Sequence, residues 1–297
     1  DGQTAILSNL TVKNFRMPYG TLYEHSGQEK LSGTVKWINP SHDALPMLRT
    51  EFNTKEKKIK QARLYATARG IYEIFLNGQK VGNDYFAPGF TQYNKTQLYQ
   101  AYDVTELVKA GKANALGAQL AEGWWSGAST FLGTNWNYFG DRQSLRAKLL
   151  ITYEDGTKDV ITTQPNSWQY YADGPLKLGS LFQGEVQDGV KAAALKGWDK
   201  PGYDAFRYGW KPAAEILLNG TTAAGRWHEF LTDRDYDQEF NHIDFISQEG
   251  SEVKAAHQHM LLAKSVKEVR PGVFIYDMGQ NFAGVPEIDL RGQKGQK

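Results

Sequence analysis

The chain has 297 residues, and at roughly 150 residues per domain this length predicts about two domains. Its 34 Lys and Arg against 33 Asp and Glu leave a net charge of +1, and no segment concentrates the basic residues, so a nucleic-acid-binding protein is not indicated. The absence of cysteine excludes disulfides, thiolate metal ligands and cysteine nucleophiles, and no stretch reaches the roughly 20 apolar residues that span a bilayer.

Alternating apolar and polar residues predict β-strands in the first part of the chain. Residues 62–69 alternate in this way and are followed by Gly70. Residues 72–76 and 79–81 flank Asn77-Gly78, a dipeptide that accepts the positive φ angles of a tight turn. These segments predict strands, the last two paired in a hairpin.

The middle of the chain continues this pattern. Leu116, Ala118 and Leu120 mark a strand, and residues 145–153 and 160–162 flank a second turn dipeptide, Asp155-Gly156. A short helix is predicted over residues 104–110, after Asp103 as cap. No sustained 3.6-residue stripe follows a strand, so alternating βα units are not expected.

A domain boundary is predicted near residues 211–225, where small and Gly-rich residues resemble linker composition. Beyond it, residues 273–276 and 285–290 read as strands, and residues 291–297 form a turn-like tail. The chain is therefore expected to be all-β, with a second domain that is incomplete.

Motifs for catalysis and metal binding are weak. Ser126 lies one place late for a Gly-x-Ser-x-Gly nucleophile. Asp233, Asp235, Asp237 and Asp244 have the spacing of a calcium loop, but Gln238 replaces the required Gly, and a solvated acidic strand explains them equally. His257 and His259 share a strand face without a visible third zinc ligand.

The most informative local feature is the stretch 123–140, in which six aromatic residues lie among Gly, Ser, Thr and Asn without helical or strand periodicity. This pattern predicts a long loop. Aromatic faces and short amides in a loop suit the apolar face and the hydroxyls of a sugar, whereas the alternative is that the rings close the end of a β-sandwich.

Several segments, in this order and spacing, closely resemble the N-terminal region of bacterial α-L-rhamnosidases. They are ARLYATARGIYEIFLNG (62–78), APGFTQY (87–93), YQAYDVT (99–105), EGWWSG (122–127), GEVQD (184–188), GWD (197–199) and FIYDMGQNFAG (274–284). The family element Gly-Glu-x-Tyr-Asp-Ala-Arg differs here by Gln187 in place of Tyr and Val190 in place of Arg.

This resemblance implies an N-terminal arm (1–34), a jelly-roll β-sandwich like a calcium-dependent rhamnose-binding module (35–212) and an incomplete concanavalin-like β-sandwich (213–297). It implies that the catalytic acid and base lie in an (α/α)6 barrel of the same polypeptide, which this sequence lacks. The chain is then expected to be a fragment with L-rhamnose or a rhamnose-containing glycan as partner, without nucleic acid or a membrane span. We expect a periplasmic or extracellular location.

If a sugar binds, we expect it at one end of the first sandwich, where four segments converge. Calcium is expected near Asp84, Asn94 and Asp188, since carboxylate and amide oxygens suit this ion. Three functions stay open: an accessory sugar-binding or scaffold portion of a rhamnosidase, a self-sufficient sugar-active enzyme with an unrecognised carboxylate pair, and a structural spacer. The candidate sugar-binding residues are Asn83, Asp84, Tyr93, Asn94, Trp124, Trp125, Glu185 and Asp188.

Overall fold

A computed structural model describes most of the chain beyond residue 44. Side chains are described for residues 45–127, 139–140, 142–182, 184–216, 243–248, 260–282, 284–289 and 291–293. Elsewhere only the backbone of seven further strands is described. The chain divides into two compact units, Asp1–Ala255 and Ala256–Lys297.

Short strands make up most of the regular structure. The strands before residue 45 are β1 (Thr4–Val12), β2 (Phe15–Met17), β3 (Gly20–Tyr23) and β4 (Glu29–Lys36). Those up to residue 121 are β5 (Met47–Asn53), β6 (Ile59–Arg69), β7 (Ile71–Leu76), β8 (Gln79–Lys80), β9 (Asp84–Tyr85), β10 (Thr96–Asp103) and β11 (Ala113–Ala121). The helical elements are a 3₁₀ turn (Thr105–Leu107), α1 (Gly123–Ser126) and α2 (Gly189–Ala194).

The remaining strands are mostly short. Those up to residue 212 are β12 (Ser144–Tyr153), β13 (Lys158–Thr162), β14 (Gln169–Tyr171), β15 (Leu176–Ser180), β16 (Gly184–Gln187) and β17 (Lys211–Pro212). They are followed by β18 (Thr221–Ala223), β19 (Asp237–Glu239), β20 (Asp244–Gln248), β21 (Val253–Lys254), β22 (Ser265–Arg270) and β23 (Val273–Asp277).

Two sheets form a β-sandwich in the first unit. One sheet has the strand order β13-β12-β6-β10-β20 and the other β17-β14-β5-β11-β7-β8. The β10–β20 pair is parallel, and the remaining neighbours in both sheets are antiparallel. The edge of the first sheet is formed by β20, which is distant in the chain from its neighbour β10.

The core lies between these sheets, because every second residue of the central strands is apolar and points inward. Leu64 and Leu149 from one sheet pack in the same cluster as Ile74, Leu116 and Leu120 from the other, and each is at most 1% exposed. A second cluster gathers Met47, Leu195, Ala205 and Trp210. The alternation seen in the sequence thus produces the sandwich directly.

The structure confirms the all-β class and both predicted hairpins. Asn77 and Gly78 have φ angles of 56° and 83°, as the turn requires. The helix predicted over 104–110 is wrong in length, because only the 3₁₀ turn forms. The loop predicted from residue 123 begins instead as helix α1, and residues 285–289 form no strand.

The second unit contains the hairpin β22–β23, closed by Gly272 at a φ of 75°. Its strands are exposed along their whole length. The predicted domain boundaries at residues 34/35 and 212/213 stay predictions. Within the described part of the chain, no helix has the length and apolar character needed to cross a membrane.

Candidate functional site

Three aromatic rings form a partly exposed surface at one end of the sandwich. The Trp124 ring lies 6.2 Å from the Phe86 ring and 5.9 Å from the Phe90 ring, measured between centroids. Phe86 is 40% exposed and Phe90 63% exposed, while Trp124 is half-buried. We refer to Phe86, Phe90 and Trp124 as the aromatic platform.

The platform rests on a buried aromatic cluster. Tyr93 and Trp125 are each 1% exposed, and the Phe139 ring lies 5.0 Å from Tyr93 and 6.2 Å from Trp125. Trp125 Nε1 donates to the Arg142 carbonyl at 3.0 Å, and the Tyr93 hydroxyl donates to the Gly89 carbonyl at 2.9 Å. Tyr93 and Trp125 therefore present no ring face to solvent, and they support the platform.

The loop after Val81 brings further predicted residues to the platform. Phe86 has a φ of 57°, a left-handed conformation that is costly for a bulky residue. Its ring is nevertheless held at the surface, 6.2 Å from the Tyr85 ring. Asn83 is exposed in the same loop, and Asp84 is buried at 8% exposure. Backbone strain at such a position is typical of a functional loop.

A buried hydrogen-bond network holds Asp84. The Tyr102 hydroxyl hydrogen-bonds the Asp84 carboxylate and lies 3.1 Å from the Tyr72 hydroxyl, which donates to Gln100 Oε1 at 2.7 Å. Burial raises the pKa of both tyrosines well above the usual value, so each stays protonated at neutral pH. Asp84 is thus fixed in orientation by groups that sequence reasoning did not connect to it.

Asn94 offers an oxygen that fits a bound cation. Its Oδ1 atom is buried and has no hydrogen-bond partner, which is costly unless a ligand satisfies it. The carboxylate of Asp84 and the amide of Asn94 carry oxygen atoms of the kind that calcium prefers. No cluster of three or more His, Asp or Glu suited to a metal occurs among the described residues, so calcium would need amide or carbonyl oxygens as well.

The two remaining predicted residues lie in and just after β16. Glu185 is exposed and pairs in register with Gly179, which lies against Ala121 at the end of the strand leading to Trp124. Asp188 caps helix α2, where its carboxylate accepts from the backbone N–H groups of Val190 at 3.0 Å and Lys191 at 3.1 Å. The structure thus gives Asp188 a local structural role.

Sequence reasoning missed Phe86, Phe90 and Glu122. Glu122 is 2% exposed, and its Oε2 atom is buried without a hydrogen-bond partner. Burial raises the pKa of this carboxyl group to about 8. Its place directly before the Trp124-Trp125 pair was visible in the sequence, but its burial depends on tertiary packing.

Of the weaker catalytic and metal-binding candidates, some have a described position and others lie outside the described residues. Ser126 is buried and accepts a hydrogen bond from Gln143 Nε2 at 2.5 Å. Asp233, Asp235, His257, His259 and loop residues 128–138 lie outside the described part of the chain, as does the side chain of Asp237.

This chain is similar in sequence to parts of known α-L-rhamnosidases. The model of the α-L-rhamnosidase N-terminal domain matches residues 57–229, more than half of the chain. An α-L-rhamnosidase of Streptomyces avermitilis is 38% identical over 265 residues, which are 89% of this chain and 23% of that protein. One of Alteromonas sp. is 33% identical over 268 residues, 89% of this chain and 26% of that protein.

Solved structures of α-L-rhamnosidases also match the fold of this chain. The crystal structure of the Streptomyces avermitilis α-L-rhamnosidase complexed with L-rhamnose matches 81% of this chain and 20% of that chain, with a TM-score of 0.62 and 38% identity. The α-L-rhamnosidase of Dictyoglomus thermophilum matches 85% of this chain and 23% of that one, with a TM-score of 0.56 and 28% identity. The chain thus spans about a quarter of its relatives' length. Since the domain model matches more than half of the chain, including most strands of both sheets and the segments that build the platform, the chain belongs to the α-L-rhamnosidase N-terminal domain family.

Proposed function

We propose that this chain is the accessory, non-catalytic β-sandwich portion of an α-L-rhamnosidase and that it binds a terminal L-rhamnosyl group. The catalytic barrel of the same polypeptide is its proposed partner, in a periplasmic or extracellular enzyme. The relative solved with L-rhamnose supports this substrate class.

The aromatic platform is the observation that carries the proposal. Two rings at 40% and 63% exposure touch a half-buried Trp124, and such a contiguous exposed aromatic surface is typical of a ligand or partner site. A 6-deoxy sugar has an apolar face that suits stacking on such rings. The exposed amide of Asn83 lies in the same loop as Phe86 and suits sugar hydroxyls, and Glu185 offers an exposed carboxylate of the same use.

Calcium is a proposed cofactor of this site. Asp84 and Asn94 would hold it through carboxylate and amide oxygens, with Asp188 as the third predicted ligand. The ion would supply charge for chelation of vicinal hydroxyls. The unpartnered buried Oδ1 atom of Asn94 supports this assignment.

Binding of L-rhamnose is expected to be weak, because a monosaccharide offers few heavy atoms. Calorimetric titration in calcium should show that Trp124→Ala weakens binding about tenfold, since stacking energies of this kind approach 1.4 kcal/mol. Tyr276→Ala, which removes an exposed ring from the second unit, is the matched control. Equal affinity of wild type, Trp124→Ala and Tyr276→Ala for rhamnose would show that the platform does not bind the sugar.

Two substitutions of Asp188 distinguish a role in calcium binding from a role in helix capping. Asp188→Asn keeps a side-chain oxygen for the backbone N–H groups of helix α2 but removes the charge, whereas Asp188→Ala removes both. If Asp188 binds calcium, both variants lose the calcium dependence of rhamnose binding. If the residue only caps the helix, Asp188→Asn behaves as wild type, and Asp188→Ala lowers the free energy of unfolding by about 1 kcal/mol.

The isolated chain is expected to have no glycosidase activity, because the resemblance places the catalytic acid and base outside it. Release of the chromophore from an aryl rhamnoside measures this directly. Turnover that a point substitution within these 297 residues abolishes would establish the competing function, a self-sufficient enzyme. Absence of both turnover and rhamnose binding would favour a structural spacer.

A further inference from the structure

The loop that carries Phe86 contacts three polar side chains that lie between the two sheets of the sandwich. Tyr72 comes from β7 in one sheet, and Gln100 and Tyr102 come from β10 in the other. Tyr72 is 5% exposed and Gln100 0% exposed, while Tyr102 is half-buried against the core. We refer to Tyr72, Gln100 and Tyr102 as the polar bridge.

The polar bridge holds two consecutive carbonyl groups of this loop. Gln100 Nε2 donates to the Pro88 carbonyl at 3.0 Å and to Gln248 Oε1 at 3.4 Å, while Gln100 Oε1 accepts from the Tyr72 hydroxyl at 2.7 Å. The backbone N–H of Tyr72 donates to the Ala87 carbonyl at 2.9 Å. The amide of Gln100 thus has partners for both of its ends, and its orientation is fixed.

The polar bridge also holds the loop on the other side of Phe86. The Tyr102 hydroxyl donates to the Asp84 carboxylate and lies 3.1 Å from the Tyr72 hydroxyl. Asp84 lies two residues before Phe86, and Pro88 lies two residues after it. The loop is therefore fixed to the core on both sides of the platform residue.

These contacts account for the unusual backbone of Phe86. A bulky residue at a φ of 57° is strained, and such a conformation persists only where surrounding contacts impose it. Ala87, the next residue, is 1% exposed in the core, so the chain turns one side chain inward and the Phe86 ring outward. The ring then lies 6.2 Å from that of Trp124.

Polar groups at these positions do something that apolar groups could not. The surrounding core is apolar, and burial of a hydroxyl or an amide costs free energy unless hydrogen bonds compensate it. Apolar side chains would fill the same space but would leave the carbonyl groups of Ala87 and Pro88 without these donors. Because a platform that is ordered before binding pays less entropy when a ligand arrives, the polar bridge favours binding.

We propose that Tyr72, Gln100 and Tyr102 are positioning residues of the aromatic platform, which hold Phe86 in its strained, exposed conformation before the sugar binds. The proposal rests on the proposed function in taking the platform as the sugar site. The three side chains need not contact the sugar, since their effect on affinity is transmitted through the Phe86 ring.

Amide hydrogen exchange tests the positioning role without any ligand. Tyr72→Phe and Tyr102→Phe each remove one hydroxyl group of the polar bridge and keep the ring. Each should speed exchange in peptides that cover residues 84–90 about fivefold, because local opening of the loop then breaks one hydrogen bond fewer. Wild-type exchange rates in both variants would overturn the proposal.

Tyr153→Phe is the matched control for these variants. Tyr153 is 0% exposed, and its hydroxyl accepts from the Lys55 N–H at 3.0 Å and donates to the Asp159 carboxylate at 2.5 Å. The substitution thus deletes an equivalent hydroxyl group that is bonded to other residues than the platform loop. It should leave exchange of residues 84–90 at the wild-type rate, and an equal increase there would show a general loss of stability and overturn the assignment.

Rhamnose titration of the same proteins shows whether the effect passes through Phe86. Tyr102→Phe should weaken rhamnose binding about fivefold, and Tyr153→Phe should leave it unchanged. In a Phe86→Ala background, Tyr102→Phe should cause no further loss, because residues that act through one another are not additive. Additive losses would mean that Tyr102 acts independently of Phe86 and would contradict the positioning role.

The two measurements separate this proposal from the proposed function. If wild type does not bind rhamnose, the proposed function fails, and the exchange rates alone decide whether the polar bridge holds the loop. If wild type, Tyr72→Phe and Tyr102→Phe bind rhamnose equally, the positioning role is wrong and the platform can still be the sugar site.

Discussion

Trp125→Ala is expected to lower the free energy of unfolding of the first unit by about 3–5 kcal/mol, the usual cost of deleting a buried aromatic side chain. The indole is 1% exposed and packs against Tyr93 and Phe139. Its Nε1–H is also the donor to the Arg142 carbonyl, so the substitution removes a hydrogen bond together with the ring. Urea denaturation followed by far-UV circular dichroism measures the change.

The neighbouring Trp124 is a matched control for this prediction. It is half-buried on the platform, so Trp124→Ala should change the free energy of unfolding by roughly 1 kcal/mol or less. The two variants should therefore differ in the property that changes. Trp125→Ala should mainly lower the free energy of unfolding, whereas Trp124→Ala should mainly weaken rhamnose binding. Similar losses of stability in both would mean that the platform belongs to the core.

Local turn chemistry explains why the hairpins were predictable from sequence. Asn77-Gly78 tolerates two successive positive φ angles, which few other dipeptides do. The alternation of residues 145–153 matches the buried and exposed positions of β12 because one sheet face meets the core. Signals within ten residues were sufficient for these elements.

The functional surfaces depend on distant parts of the chain and were therefore only partly predictable. The segments of Asn83, Tyr93 and Trp124 were expected to converge, and ring contacts do join the loops near Phe86, Phe90 and Trp124. Phe86 itself was missed because propensity disfavours phenylalanine at positive φ.

The pairing of β10 with β20 was missed for a related reason. Arg146 and Phe245 are distant in the chain, and only the pairing of β6, β12 and β20 with their neighbours in one sheet brings them together. The parallel β10–β20 pair joins residues 148 positions apart in the chain, Thr96 with Asp244. A contact of that sequence separation leaves no local periodicity from which it could be read.

Glu122 is expected to make the stability of the first unit depend on pH. Burial raises the pKa of its carboxyl group from 4.5 to about 8, so between these values the folded state holds a proton that the unfolded state has released. The contribution of this group is fully present below about pH 4.5 and is lost as the pH rises through about 8. At roughly 1.4 kcal/mol per pKa unit, the loss is on the order of 5 kcal/mol.

Glu122→Gln tests this directly, because the amide has the shape of the protonated acid and does not titrate in this range. Between pH 5 and pH 8, the free energy of unfolding measured in urea should fall for wild type and stay nearly level for Glu122→Gln, so that the variant is the more stable protein at pH 8. Glu106→Gln, which changes an exposed carboxylate, should retain the wild-type slope. A wild-type slope in Glu122→Gln would show that Glu122 is ionised in the folded protein, and its buried Oε2 atom would then need a cationic or hydrogen-bonding partner.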